Sequence, residues 1–253
     1  MIERSTALTG GRLLAAAATL LLAGCATAPS QSGALAPDPL QRLNRITATM
    51  NSVMDDIVVR PVTKTYVDVT PMPVQTSVHN FFLNLEEPIV IVNDLLQGKF
   101  EQTGADTGRF LANSTFGVLG LFDVATPMGL EQHDEDLGQT LAVWGVPSGP
   151  YLVLPLLGPS TFRDAFGRYA DGVYNPASIY EINDAGTRDA TIIFYGIDQR
   201  AQLLDLQGQV ENAFDPYVFI RDAFLQHRQF LIYDGNPPPP QYPDLPPDDS
   251  GSD

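Results

Sequence analysis

Apolar residues recur along this chain at intervals of three and four, and no segment sustains alternation at intervals of two, which predicts helices and little sheet. Leu40, Leu43, Ile46, Met50, Val53, Met54 and Ile57 make one such face, with Asp38 and Pro39 as its start signal. Periodicity leaves open whether that face packs in a core or lies in a headgroup layer. Val74, Val78, Phe81, Phe82 and Leu85 make the next face; Pro88 predicts its end and the first position of a shorter helix running to Gly98. A helix over 99–115 carries Gly104 and Gly108 at the spacing that lets helix backbones approach closely in lipid. Ala190, Ile193, Phe194, Ile197, Ala201 and Leu204 form the cleanest stripe, and Asp215-Pro216 caps a last helix with Tyr217, Ile220, Phe224 and Leu231 on one side.

One stretch breaks this pattern. The 25 residues from Gly138 to Phe162 carry no charged side chain, and Pro147, Gly149, Pro150, Pro155, Gly158 and Pro159 cut them into short pieces. A spanning helix needs about 20 unbroken apolar residues, so the stretch is either core or a shaped loop whose apolar side chains face lipid.

The first 24 residues read as a leader: Arg4 and Arg12, then an eleven-residue apolar run from Leu13 to Ala23, too short to cross a bilayer. The run ends in Leu22-Ala23-Gly24-Cys25, which resembles the lipobox of bacterial lipoproteins. Cys25 is the only cysteine, so its acylation excludes an intrachain disulfide, and burial worth about 0.8 kcal/mol per methylene over three chains makes a stable anchor. Residues 25–37 form a Ser/Gly/Ala/Pro-rich tether, residues 38–235 the helical domain, and residues 236–253, with their prolines and aspartates, a disordered tail.

The chain carries a net charge of −16, and removing the leader makes it one unit more negative. Such a surface repels nucleic acid. Its three histidines belong to no zinc motif, and neither Ser148 nor Ser160 sits in a hydrolase elbow. Glu131 to Asp136 is the one dense polar cluster, read as an acidic loop capping the helix after it in preference to a cation site. There is no phosphate-cradling loop, and neither an enzymatic activity nor a cofactor or metal is expected.

Several longer motifs point to one family. Val59-Arg60-Pro61-Val62, Tyr66 to Pro71 (YVDVTP), Asn80 to Pro88 (NFFLNLEEP), Val92 to Gly98 (VNDLLQG), Gly108-Arg109-Phe110, Gly120 to Ala125 (GLFDVA), His133 to Asp136 and Asp215-Pro216-Tyr217 resemble the MlaA (VacJ) lipoproteins in order over 38–233. One departure lies in the first helix, where Arg45-Ile46-Thr47 after Asn44 replaces a usual aromatic. The resemblance implies an all-α, ring-like bundle of amphipathic helices embedded in the outer membrane, with a polar passage. It also implies association with trimeric porins and hand-over of misplaced phospholipids to a soluble periplasmic carrier. A scaffold lipoprotein that binds porins without transport is the alternative.

On that reading the uncharged stretch becomes an apolar hairpin beside the passage, with halves Leu141 to Pro147 and Tyr151 to Leu157. Trp144 and Tyr151 suit a bilayer interface, and Gly145 and Gly149 are hinges. The competing reading puts the aromatics in a core. Arg60, Arg109 and Arg163 are candidates for the headgroup phosphate, because a guanidinium pairs with it through two bonds; structural salt bridges are the alternative.

Overall fold

Helices account for most of the chain, as the periodicity predicts. The computed structural model describes residues 38–174 and 182–239, so the leader, Cys25, the tether and all but the first residues of the tail lie outside the described residues. Asp38 starts α1 (Gln41–Met54) by accepting from the Leu40 amide at 3.2 Å. A π-helical turn (Asp55–Val59) then leads into α2 (Arg60–Val69), resetting the hydrogen-bond register ahead of Pro61.

α3 (Met72–Gln97) corrects the expectation at Pro88: the helix runs straight through that proline and stops only at Gly98, whose φ of +78° closes it. Side-chain ties on both sides of the proline offset its missing rung. Asn84 donates to Ser114 and Asn93 accepts from Thr140 at 2.7 Å, so neighbouring elements hold both halves in line. α4 (Phe100–Thr115) packs on α3. Its glycines do not serve a helix crossing: a Cβ on Gly104 would meet nothing, and one on Gly108 would meet the Leu130 side chain at 3.2 Å.

After a loop with one 3-10 turn comes α5 (Leu137–Val143), capped by Asp136, whose carboxylate accepts from the Gln139 amide at 2.8 Å. The sheet is a single antiparallel pair, β1 (Tyr151–Leu154) with β2 (Gly158–Thr161), joined by Pro155, Leu156 and Leu157. α6 (Phe162–Tyr174) follows, and Gly167 on it approaches Gly138 so closely that a Cβ there would lie 2.4 Å from the Gly138 nitrogen. α7 (Ala185–Gln202), the short α8 (Gln207–Glu211) and α9 (Pro216–Ile232) complete the described chain; Asp215 caps α9 as expected.

Burial runs opposite to that of a water-soluble domain. The largest fully buried side chains are polar, among them Gln139, Asn44, Asn93, Thr63, Asp94 and Asp106, whereas Phe100, Phe116, Leu119 and Leu156 are each more than two-thirds exposed. The clean stripe of α7 illustrates it: Ile193 and Phe194 face out and Asp198 is buried. On α9, Arg221 and Arg228 are buried while Ile220 is exposed. No described helix is long and apolar enough to cross a membrane.

Candidate functional site

The polar interior has two connected parts. The first lies between α3, α4 and the loop before α5. Arg109, only 3% exposed, donates to Leu130 O at 2.6 Å and to Thr126 at 3.1 Å, with Glu87 and Asp123 each 3.5 Å away. A cavity of about 10 Å³, room for a single water, is lined by Asn84, Glu87, Arg109, Asn113 and Asp123. Burial pushes Glu87 up to about 8, the Asp106 charge adding to the effect and Arg109 opposing it. Two helix turns further along α3, burial and the hydrogen-bonded Asp106 push Asp94 to about 8 as well. Both oxygens of Asp94 lack any other donor, so no further hydrogen bond stabilises the charged form. His133 Nδ1 faces the two Asp106 oxygens at 3.0 and 2.9 Å. Lys99 closes this part by pairing with buried Glu135 and with Asp234, both at 2.6 Å.

The second part gathers α5, α6 and α9. Arg228 holds Asp136 through two bonds of 2.6 and 2.5 Å and reaches Asp164 at 3.1 Å; Arg163 contacts the same Asp164 oxygen at 3.0 Å. Burial would raise Asp136, but the Arg228 bonds outweigh it and keep the carboxyl below its usual range. Asp134 differs. It is solvent-accessible, yet the protein around it raises its carboxyl, Asp136 adding and Arg228 and His227 opposing. Glu86 is likewise partly accessible and raised by desolvation, with the Tyr195 hydroxyl donating to it. Asp134 in turn raises Glu86, so these two accessible carboxyls, one on α3 and one in the loop before α5, lie near one another and mark an acidic edge of the polar interior.

The residues expected at the site are placed as follows. Arg60 pairs with Asp55, Asp56 and Glu211, and Arg109 and Arg163 are buried against carboxylates, so all three guanidinium groups are engaged within the fold. Gly145 and Gly149, expected as hinges, have φ of +87° and +67°, a region that glycine enters without strain. The hairpin is shifted from its expected halves: Leu141 to Val143 end α5, Pro147 and Pro150 shape the loop before β1, Pro155 enters the turn, and Gly158 and Pro159 belong to β2. The shift follows from Leu156 and Gly158, whose φ of +63° and +79° complete a three-residue hairpin loop. Trp144 is half exposed and donates to Leu96 O at 3.1 Å. Tyr151, expected at an interface, is buried, with its ring 6.2 Å from those of Tyr217 and Phe224. The Ser148 and Ser160 hydroxyls donate to the backbone carbonyls of Gly149 and Thr161.

Two asparagines were missed as a unit. Asn44 donates to Tyr151 O at 2.9 Å and accepts from the Val153 amide at 3.0 Å; Asn51, two turns along α1, donates to Leu154 O at 2.9 Å and accepts from the Leu156 amide at 2.8 Å. Their amides stand in for a third strand and cover the free edge of β1. Only the seven-residue spacing on one helix face hinted at it.

Comparison with known proteins agrees with this architecture. The model of the MlaA lipoprotein family matches residues 36–231. The chain is 37% identical over 229 residues to the intermembrane phospholipid transport system lipoprotein MlaA of Escherichia coli K12, covering 89% of this chain and 90% of that protein. It is 30% identical to the lipoprotein of the same description from Haemophilus influenzae, over 78% of this chain and 80% of that one. A solved structure described as the structural basis for maintenance of bacterial outer membrane lipid asymmetry superposes with a TM-score of 0.69 at 36% identity, over 78% of this chain and 99% of that one.

Proposed function

This chain belongs to the MlaA lipoprotein family, and on that premise we propose that it removes misplaced phospholipids from the outer leaflet of the outer membrane. The headgroup passes along a polar recess opening at the acidic edge marked by Glu86 and Asp134, and the lipid is handed to a soluble periplasmic carrier, with trimeric porins as neighbours and the acylated Cys25 as anchor. One observation carries the reading: side chains such as Phe100, Phe116 and Leu156 face outward while Asp94, Asp106 and Gln139 are sealed inside. In water that arrangement forfeits the hydrophobic driving force; against acyl chains it costs nothing and leaves a polar interior for a polar ligand.

The two ends of a phospholipid make opposite demands. Moving a bare charged headgroup into hydrocarbon costs on the order of tens of kcal/mol, which a polar route removes. Releasing about 30 methylenes into water costs about 24 kcal/mol at roughly 0.8 kcal/mol each, which is why a carrier must receive the tails. Arg60, Arg109 and Arg163 then act through their ion pairs, holding the walls of the route.

The test is a deletion strain in which outer-leaflet phospholipid is measured by selective surface labelling, with and without the wild-type gene restored. The expected result is excess outer-leaflet phospholipid that disappears on complementation. A normal level in the deletion strain refutes the proposal.

A further inference from the structure

Beside the polar interior lies a second feature with opposite chemistry. A cavity of about 720 Å³ separates α3 from the first turns of α7, with Val78, Phe81 and Phe82 on one wall, Ala190 and Phe194 on the other, and Leu121 between them. Its size is that of a small-molecule site. Three polar side chains touch it, and each is already engaged. Asp184 accepts from the Thr187 amide and hydroxyl, both at 2.7 Å, and the Thr191 hydroxyl donates to Thr187 O at 2.8 Å. These polar groups all belong to α7 and its cap, and the α3 wall that faces them is wholly apolar.

Two neighbours identify what fits. Val74, one turn before Val78 on α3, and Ile193, next to Phe194 on α7, are both exposed, so the apolar lining continues along the same two helices onto the exterior. On the inner side the α3 stripe Val78, Phe82, Glu86 runs from apolar to acidic within two turns. The Tyr195 ring lies 5.1 Å from that of Phe82, and its hydroxyl donates to Glu86. The cavity thus joins the lipid-facing surface to the edge of the polar recess.

We propose that this cavity is a binding site for one acyl chain of a phospholipid, holding the tail against α3 and α7 while the headgroup is at the recess. The identity of the lipid rests on the transport reading above; the apolar lining and its engaged polar groups do not.

The test uses the full-length acylated protein in phosphatidylethanolamine vesicles containing a phospholipid with a diazirine in its acyl chain, with labelled residues mapped by mass spectrometry. Wild type is expected to be labelled at Phe81, Phe82 and Phe194, and a headgroup diazirine to leave them unlabelled. Each buried methylene is worth about fourfold in occupancy, so excluding two by Ala190→Trp or Val78→Trp lowers cavity labelling about fifteenfold. Labelling of the hairpin tip at Leu157 serves as the bulk-lipid control and stays unchanged. Ala190→Ser, which keeps the volume, keeps the cavity labelling and shows that the position tolerates substitution. Cavity labelling that is absent, or equal in wild type and both tryptophan variants, overturns the site. If it is found while the deletion strain keeps normal outer-leaflet phospholipid, the site stands and the transport reading falls; the reverse pair of results has the reverse meaning.

Discussion

Replacing Asn44 by Ala tests whether the hairpin is held by α1 through side-chain amides. Asn44 is 1% exposed, and its loss strands the Tyr151 carbonyl and the Val153 amide, since β2 occupies only the other edge of β1. Each backbone group left unpaired in a dry position costs about 1–3 kcal/mol, so the expected destabilisation is about 2–6 kcal/mol. Asn51→Ala removes the same number of bonds to β1 and its turn. Against lipid or detergent no water replaces the lost partners of that tip, so each group left unpaired again costs about 1–3 kcal/mol. Denaturant unfolding in detergent micelles gives the two losses, and amide hydrogen exchange assigns them. Val153 is expected to lose protection only in Asn44→Ala, and Leu156 only in Asn51→Ala. No measurable destabilisation by either variant, or a Val153 amide that stays protected without Asn44, refutes the reasoning.

Four further outcomes follow from the interior. Burial pushes Asp94 up to about 8 from an ordinary 3.8, so folding takes up a proton between those values and stability falls as pH rises, by up to about 1.4 kcal/mol per unit; Asp94→Asn, uncharged in both states, is expected to make the fall of the unfolding midpoint between pH 5 and 8 shallower, Glu87 sustaining the remainder. Gly167→Ala drives a methyl into the Gly138 backbone and is expected to cost about 1–3 kcal/mol in thermal unfolding, whereas Gly104→Ala, with nothing near its Cβ, costs nothing. Arg228→Met leaves Asp136, whose side chain is 36% exposed, without its cation while Arg163 still pairs with Asp164; it is expected to cost about 1.5–3 kcal/mol, partly restored by Asp136→Asn. In an unanchored Cys25→Ala background, changing the exposed tip residues Leu156 and Leu157 to Glu removes about 3 kcal/mol or more of apolar burial in lipid and is expected to abolish flotation with vesicles.

Helices were legible because a stripe of apolar residues needs only the right spacing. Which way the stripe faces was not, because periodicity is the same whether the apolar side meets a core or a lipid. Ile193 and Asp198 lie on one helix, and nothing in their spacing says that the aspartate is the buried one. Pro88 misled for a related reason: its local effect is to break a helix, but Asn84 and Asn93 tie the two halves to residues about 30 and 47 positions away. The same distance hid the hairpin clamp, whose partners lie more than 100 residues apart. The positive φ of Gly145 and Gly149 was readable because it is a property of one residue alone.

The pairing of the buried arginines bears on what kind of site this is. Among the described residues, Arg109, Arg163, Arg221 and Arg228 each lie within salt-bridge distance of a carboxylate. Two carboxyls that would leave the interior negative, Glu87 and Asp94, are instead held protonated near neutral pH. The −16 charge of the chain is therefore a property of its water-facing parts, and the interior approaches neutrality. A receptor for phosphate would keep a free guanidinium to grip it. A conduit works differently, since a group that binds tightly enough to hold a headgroup also stops it from leaving. Unpaired cations would trap a phosphate, ionised acids would repel it, and satisfied pairs beside neutral acids do neither. On the proposed transport reading, engagement of Arg109 and Arg163 within the fold is what a headgroup route calls for, and a variant that frees one, such as Asp164→Asn beside Arg163, is expected to retain phospholipid through purification where wild type releases it.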